Sequence, residues 1–327
     1  MVATLTTPKS GPGAKITPDE FRKIASDPVY FLDTYGKTFD PRTEPYHFPF
    51  RLYDFQKDYV RELHGCVERG ENLLTEKSRD MGASWCLMGL TLWYWLFVPG
   101  SHILLGSRKE DYVDNGTVES LFGKVDYLMK ELPFAPEGYD AKVHRTRLKM
   151  VNPMNGNVLK GESANADFAR GGRYRFIVPD EMAFWETADT AWAAMSESTR
   201  CILPVTTPPR RANFVSALRK SGLIRVTTLH WRLHPLKDEA WYQAAKARML
   251  PEDVAREIDI NWEGAITGRV YPEADRCRIG AFPYEPAWPL YVAHDPGRRD
   301  PHAMGWFQVD PRNGRVRLVE AIEKAGR

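Results

Sequence analysis

The stretch from Leu73 to Cys86 constrains the fold of this chain more than any other stretch, because it predicts a buried strand, a short polar loop and the start of a helix. An apolar pair leads into the polar residues 75–80, and a mostly apolar run from Cys86 to Val98 follows. A loop of this kind directs backbone N–H groups and the positive end of a helix dipole toward phosphates. The stretch therefore predicts an α/β fold with a site suited to a nucleoside triphosphate.

The loop matches the phosphate-loop pattern G-x-x-x-x-G-K-[ST] only in part. Lys77 occupies the first glycine position, Gly82 the second, Ala83 the lysine position and Ser84 the hydroxyl position. The lysine therefore stands at the front of the loop instead of its end. Taken alone, this partial match favours an ordinary turn between a strand and a helix.

A second stretch, Tyr174 to Glu181, favours the phosphate-loop interpretation over the ordinary turn. An apolar strand ends there in the adjacent carboxylates Asp180 and Glu181. An Asp at the end of a buried strand can hold Mg²⁺, and a neighbouring Glu can orient an attacking water. An isolated Asp-Glu pair would more often be a solvated turn. Together, the two stretches predict two halves of one phosphoryl-transfer site.

Length and composition limit the number of domains and the kind of nucleic-acid binding that the chain can have. The 327 residues allow two domains, and a formal charge of +2 argues against a globally basic nucleic-acid binder. Any basic patch must be local, and such short clusters are more often solvated surface; the candidates are Arg210-Arg211 with Arg219-Lys220, and Arg298-Arg299.

The four cysteines are scattered without paired spacing, so the sequence predicts neither a zinc site nor a disulfide framework and favours a reducing compartment. The most apolar stretch, Trp85 to Val98, is too short to cross a bilayer and ends at Pro99-Gly100, which indicates a buried core helix. The N-terminus lacks the order of a signal peptide. We expect a cytoplasmic protein with no membrane association.

The N-terminal quarter is predicted to combine a disordered segment, two helices and an extended arm. Residues 1–16 have little apolar content and are expected to be disordered, and a short helix should begin after Thr17. The four prolines of residues 27–50 predict an extended arm over the domain. A helix with apolar spacing starts at Phe55, and Gln56 near its beginning could read the donor and acceptor edge of adenine, unless it is a plain surface glutamine.

The remainder of the first half alternates strands and helices, as in a parallel sheet covered on both faces. The pattern predicts a strand at residues 102–107, a helix at 113–132, a loop and hairpin at 133–160, and a strand at 200–205 that ends in Thr206-Thr207. These hydroxyls could sense a γ-phosphate, or they could belong to a polar turn fixed by prolines. A strand at 223–231 and a helix at 238–250 follow.

The predicted domains are a tail and arm at residues 1–49, a domain at 50–263 that carries the phosphoryl-transfer site, a linker at 264–289 and a second domain at 290–327. The linker is rich in Gly and Pro. After it, residues 290–297, 303–309 and 316–321 are typical of three strands, with turns at Pro296-Gly297 and Asn313-Gly314.

From about Phe50 onward the chain resembles the large terminase subunit of tailed bacteriophages, the motor that packages DNA into proheads. The resemblance depends on five signals in the family's order: Gln56, the loop Lys77 to Ser84, Val178-Pro179-Asp180-Glu181, Thr206-Thr207-Pro208, and His294-Asp295-Pro296-Gly297. It implies a P-loop ATPase core with a parallel sheet, followed by the start of a ribonuclease H-like nuclease domain.

The resemblance also implies roles in an ATPase that uses ATP and Mg²⁺. Lys77 and Arg79 would contact phosphates within a loop that includes Ser78 and Gly82, while Ser84 and Asp180 would hold the metal. Glu181 would orient water, and Arg170 would act as an arginine finger on a neighbouring subunit's ATP. Thr206 and Thr207 resemble the element that couples hydrolysis to DNA movement.

In the second domain, Asp295 matches the first metal-binding carboxylate of the family nuclease, against the alternative of a simple turn. Its companions would lie beyond Arg327, so we expect the nuclease activity to be lost and residues 289–327 to expose sheet edges. Implied partners are double-stranded DNA, the small terminase subunit, the portal protein and further copies in a ring, in the host cytoplasm.

Two other functions remain open at this point. The chain could be an inactive truncated remnant that binds DNA or partners without turnover. It could also be a helicase-like ATPase, although that class requires a second RecA-like domain that the sequence does not show.

Overall fold

The computed structural model describes residues 5–6, 16–262, 282–295 and 302–324. The helices are α1 (Pro18–Ser26), α2 (Pro28–Tyr35), α3 (Asp54–Arg69), α4 (Ala83–Phe97), α5 (Glu110–Val113), α6 (Leu121–Glu131), α7 (Ala141–His144), α8 (Ala188–Ser198), α9 (Phe214–Lys220), α10 (Glu239–Lys246) and α11 (Pro251–Glu257). The strands are β1 (Leu5–Thr6), β2 (Lys37–Phe39), β3 (His47–Pro49), β4 (Leu73–Lys77), β5 (His102–Ser107), β6 (Ala135–Pro136), β7 (Arg145–Thr146), β8 (Lys149–Val151), β9 (Val158–Ser163), β10 (Phe176–Pro179), β11 (Val205–Thr206), β12 (Arg225–Leu229), β13 (Leu290–Asp295), β14 (His302–Val309) and β15 (Val316–Lys324). The chain divides into two units, Met1–Gly268 and Arg269–Arg327.

The first unit is built on a mostly parallel sheet, which confirms the predicted fold class. Strands β12, β4 and β11 are parallel neighbours, as are β10, β5 and β9, and bridges from Ile177 to Ile202 and from Asp180 to Val205 join the two sets. Strands β8 and β7 extend the far edge in the antiparallel sense. The carboxyl ends of β4, β11, β10 and β5 therefore lie side by side at one edge, where ligands bind in open α/β sheets.

The strand predicted at residues 200–205 forms a regular ladder only at Val205–Thr206. Pro204 has no N–H to donate, so a continuous ladder cannot form there. The segment still lies between β4 and β10, because its carbonyls accept bonds from the N–H groups of Leu73 at 3.1 Å and Thr75 at 2.8 Å.

Helix α4, which starts at the predicted phosphate loop, is a core helix as predicted. Its side chains are buried on nearly all sides, including Trp93, Tyr94 and Trp95. A buried helix end leaves carbonyls that need donors. The side-chain amide of Asn157 meets this need by donating to the carbonyls of Trp95 at 2.9 Å and Val98 at 2.8 Å.

Three predictions about local structure were wrong. Residues 28–35 are helical instead of an extended arm, because Asp27 caps α2 with bonds from the Val29 and Tyr30 N–H groups and Pro28 fits the first turn. The helix predicted to start at Val113 begins at Leu121, because Gly116 has a φ of +76° and breaks the run. The predicted 238–250 helix ends at Lys246, and Pro251 starts a separate helix, α11.

Strands β13, β14 and β15 of the second unit form an antiparallel sheet in that order, as the pattern of three strands predicted. The β14–β15 turn contains Gly314 at a φ of +70°, which explains the Asn313-Gly314 signal. Strands β13 and β15 are its edges within the described residues. Most of residues 1–16, which were predicted to be disordered, lie outside the described residues, although Leu5–Thr6 pairs with β6. Most of the predicted linker at residues 264–289 and the predicted turn at Pro296-Gly297 also lie outside the described residues.

Cys66, Cys86 and Cys201 are buried free thiols. Among the described helices, none has both the length and the apolar character that crossing a membrane requires.

Candidate functional site

A cavity of about 700 Å³ lies at the carboxyl edge of the sheet in the first unit. It collects residues from the ends of four neighbouring strands, namely Lys77, Ser107, Asp180 and Thr207, together with loop residues 79–84. The sequence placed the loop, the carboxylate pair and the threonines in separate stretches. The sheet order brings them to a single cavity.

The loop before α4 has a backbone shaped for an anion. Asp80 and Gly82 have φ angles of +58° and +74°, so the chain turns through left-handed conformations just before the helix. Gly82 is the N-cap residue of α4 and no side chain caps this helix end. Among the hydrogen bonds of residues 16–262, none uses the N–H of Met81, Gly82 or Ala83. Unpaired N–H groups at a helix N-terminus form an anion site.

Lys77 and Glu181 face each other in this cavity. Lys77 Nζ lies 3.2 Å from Glu181 Oε1, with the lysine side chain 13% exposed and the glutamate 32% exposed. Burial opposes the charge of Lys77, but the carboxylates of Glu181 and Asp180 outweigh burial, so the pKa of Lys77 is raised. The lysine at the front of the loop therefore remains a cation at neutral pH.

Asp180 presents a desolvated carboxylate to the same cavity. Burial, together with the adjacent charge of Glu181, raises the pKa of Asp180, while Lys77 and Lys124 act in the opposite direction. Within residues 16–262 the Asp180 carboxylate and the Ser84 hydroxyl have no hydrogen-bond partner, although both residues line the cavity. Oxygen atoms left without partners in a cavity are suited to a hard cation such as Mg²⁺.

Glu181 is held in a left-handed backbone conformation, with a φ of +51°. Such a conformation costs energy in a residue other than glycine and often marks a functional site. The Thr207 N–H lies 3.4 Å from Glu181 Oε2, and the Thr206 hydroxyl accepts from the Ala183 N–H at 3.3 Å and donates to the Thr207 carbonyl at 2.9 Å. Thr207 therefore contacts Glu181 directly and also lines the cavity, whereas Thr206 contacts Ala183, two residues after Glu181.

Arg79 also lines the cavity and is bound to α11. Its Nε donates to Glu257 Oε2 at 3.2 Å, and its backbone N–H donates to the Glu257 carbonyl at 2.8 Å. Glu257 also contacts Arg256 at 3.1 Å, and Arg256 bonds to Asp253 at 2.7 Å. Because the Arg79 side chain is 65% exposed, a phosphate can compete with Glu257 for its guanidinium.

Gln56, predicted to contact the adenine edge, bonds to the phosphate loop itself. Gln56 is 3% exposed, its Nε2 donates to the Met81 carbonyl at 3.1 Å and its Oε1 accepts from the Tyr53 N–H at 3.0 Å. Its amide therefore supports the loop from behind and does not line the cavity where an adenine edge could be read. The two sides of the loop cannot be told apart from a local sequence pattern.

Ser78, predicted to bind the nucleotide, is also placed elsewhere. It is fully buried, and its hydroxyl donates to the Ile258 carbonyl at 2.6 Å and accepts from the Trp231 N–H at 2.9 Å. The hydroxyl joins the loop to the segments after α11 and β12. It does not line the cavity.

Two solved structures share this arrangement of elements. The large terminase of bacteriophage HK97 matches with a TM-score of 0.55 at 16% identity, over 91% of this chain and 67% of that chain. The large terminase of a thermophilic bacteriophage in complex with ADP matches with a TM-score of 0.50 at 14% identity, over 84% of this chain and 69% of that one. The chain has the fold of a phage large terminase. No protein-family model and no curated protein matches it.

Within this terminase fold, Arg170 lies away from the cavity of its own chain. It follows Ala169, which has a φ of +66°, and belongs to a separate concavity with Gly171, Arg173 and Glu197. Its side chain is 62% exposed, and its ion pair with Asp167 spans 3.7 Å. Arg170 is therefore available to another molecule and does not reach its own Glu181 site.

Asp295 ends strand β13 of the second unit, as predicted, but its side chain lies outside the described part of the structure. Among the described residues, no group of three or more His, Cys, Asp or Glu could hold a metal ion.

The charged residues of the cavity wall that sequence reasoning missed include Lys124, Arg256 and Glu257. Lys124 is a polar position of the amphipathic helix α6, and burial lowers its pKa, partly offset by Asp180. The Pro251-Glu252-Asp253 signal could have revealed helix α11, since it combines a first-turn proline with two acids. Nothing local shows that this helix packs against a loop about 180 residues earlier.

Proposed function

We propose that this chain is an ATP-hydrolysing motor that translocates double-stranded DNA, as in the packaging of a viral genome into a prohead. The observation that carries the proposal is the convergence of Lys77, the unpaired loop N–H groups and Glu181 in a single cavity. These groups supply a cation, an anion cradle and a base, the set that phosphoryl transfer requires. The ADP complex of the terminase from the thermophilic phage supports the choice of nucleotide.

The phosphates would lie against the loop N–H groups from Met81 to Ala83. Lys77 would move from Glu181 toward the β and γ phosphates, and Arg79 would exchange its Glu257 contact for a phosphate. Gly82 allows the backbone to approach the phosphates closely, because glycine has no side chain in the way and adopts a left-handed conformation without strain.

Ser84 and Asp180 would hold Mg²⁺, since both line the cavity and offer oxygen atoms without other partners. The ion would neutralise charge on the phosphates. A cation at this position would also offset the desolvation of the Asp180 carboxylate.

Glu181 would accept a hydrogen bond from the attacking water once Lys77 turns to the phosphates. The Thr207 N–H contacts Glu181, and Thr207 lines the cavity. Loss of the γ-phosphate would therefore shift the loop after β11. Thr206 ties that loop to Ala183 and would pass the change to the rest of the unit. This is the coupling role proposed for both threonines.

Arg170 would complete the site of a neighbouring copy, because it is exposed and distant from its own cavity. Head-to-tail contacts of this kind form a ring when the rotation between successive copies closes. The proposed partners are double-stranded DNA, the small terminase subunit and the portal protein, and the proposed location is the host cytoplasm. Asp295 is proposed as a metal-binding carboxylate of the second unit.

The test is DNA-stimulated ATP hydrolysis by the purified chain and by Lys77→Ala and Glu181→Gln. Removal of a general base or of the phosphate-binding cation should lower kcat/KM by about 100-fold or more. Glu186→Gln is the matched control, since Glu186 is an exposed glutamate near Glu181 that does not line the cavity. A parent chain that binds ATP and DNA but shows no turnover at any concentration would instead support binding without catalysis.

A further inference from the structure

Two carbonyl groups of the phosphate loop accept hydrogen bonds from side chains that do not line the cavity. Backbone N–H groups can face a phosphate only if the carbonyls of the same loop point elsewhere, and a donor on such a carbonyl fixes its direction. Gln56 supplies one donor, to the Met81 carbonyl. The other comes from Lys237, a residue between β12 and α10 that sequence reasoning did not single out.

Lys237 Nζ donates to the Arg79 carbonyl at 2.6 Å. It also lies 3.8 Å from Met81 Sδ and 4.4 Å from the centre of the Trp241 ring, so its position is defined on several sides. It is absent from the cavity lining. The ammonium therefore reaches the loop backbone without access to a ligand in the cavity.

The charged surroundings of Lys237 come from the loop and from the β2–β3 turn. Asp80 attracts the ammonium and Arg42 repels it, while the Arg42 guanidinium itself bonds to Asp80 at 2.9 Å. Burial lowers the pKa of Lys237 to about 8.

We propose that Lys237 is a positioning residue that orients the phosphate loop and strengthens its N–H donors. Bonding to the Arg79 carbonyl polarises the peptide between Arg79 and Asp80, whose N–H is on the loop, and Gln56 acts in the same way on the peptide between Met81 and Gly82. The inference rests on the proposed function, because it assumes that the loop binds a phosphate chain.

The experiment measures the affinity of the full chain for ADP and for inorganic tripolyphosphate by isothermal titration calorimetry. Lys237→Met retains the apolar stem but removes the donor and should weaken binding of both ligands by roughly tenfold. Lys237→Arg retains a cationic donor and should recover most of the affinity. Lys246→Met is the matched control, since Lys246 also lies over an aromatic ring, Tyr242, but has no contact with the loop.

Two readouts separate positioning from general stability. Saturating ATP should restore most of kcat in Lys237→Met, with the defect in KM, because Lys237 does not touch the reacting atoms. Affinity for double-stranded DNA should match that of the parent. Affinities are expressed per folded molecule, with the folded fraction taken from near-ultraviolet circular dichroism, so that a less stable variant is still informative.

Equal tripolyphosphate affinity in the parent and in Lys237→Met would overturn the positioning role while leaving the ATPase proposal intact. A parent that binds neither ADP nor tripolyphosphate would overturn the proposed function and this inference with it. A loss of the same size in Lys246→Met would show that the effect does not come from the loop contact, and would also overturn it.

Discussion

Lys77 Nζ and Glu181 Oε1 lie 3.2 Å apart although their strands are not neighbours. Strand β4 ends at Lys77 and β10 ends just before Asp180, while β11 lies between them in the sheet. The ion pair therefore passes over the end of the intervening strand. This explains why the Thr207 N–H meets the same glutamate.

The first prediction concerns Gly82, whose conformation and surroundings both exclude a side chain. A Cβ at this position would lie 2.4 Å from Gln56 Nε2, and the φ is +74°. Gly100 is a matched control, because it has the same φ and nothing within 4 Å of the added carbon. Gly100→Ala should lower the free energy of unfolding by about 1 kcal/mol, and Gly82→Ala by about 2 kcal/mol or more.

Urea denaturation of both variants measures this difference. Adding Gln56→Ala to Gly82→Ala removes the atom that the new methyl group would meet, so the double variant should lose less stability than the two single changes combined. Equal losses in Gly82→Ala and Gly100→Ala would contradict the tight contact between Gln56 and the loop.

The second prediction concerns competition for Arg79. Glu257 holds the Arg79 guanidinium, so Glu257→Gln should weaken this contact and tighten ATP binding by about threefold, a modest effect because the arginine side of the pair is exposed. Arg79→Ala should weaken ATP binding, and Glu257→Gln should then give no further gain. A calorimetric double-mutant cycle tests this, and additive effects would exclude the competition.

The third prediction concerns the buried thiols. Burial raises the pKa of Cys66, Cys86 and Cys201, and since the thiolate is the reactive form, these residues should resist iodoacetamide in the folded chain at neutral pH. Mass spectrometry of their peptides should show alkylation only after denaturant is added. Rapid labelling of Cys86 in native protein would contradict the burial of α4.

The fourth prediction concerns the exposed Arg170. Arg170→Ala leaves the cavity of its own chain intact, whereas Glu181→Gln leaves a normal Arg170. If Arg170 acts on a neighbouring copy, a mixture of the two inactive variants should recover part of the DNA-stimulated ATPase activity through mixed rings. A mixture that is no more active than the sum of its components would exclude action between subunits.

The sequence alone was sufficient for the elements whose signals are local. The strand, loop and helix of residues 73–97 were predicted from an apolar run and one glycine, and the β14–β15 turn from Asn313-Gly314. The arm predicted at residues 27–50 is wrong at residues 28–35, because Pro28 follows the capping residue Asp27 and starts a helix. Proline interrupts a helix only after its first turn.

Residue types and spacing therefore determined which side chains are able to bind phosphate and metal, because those properties belong to single residues and short turns. The tertiary structure decided which of them meet. It brought Lys77 to Glu181, placed Gln56 and Lys237 behind the loop, enclosed Ser78, and kept Arg170 away from its own cavity. These outcomes depend on the order of strands in the sheet and on which side of a loop is packed, and both are set by contacts between residues far apart in the chain.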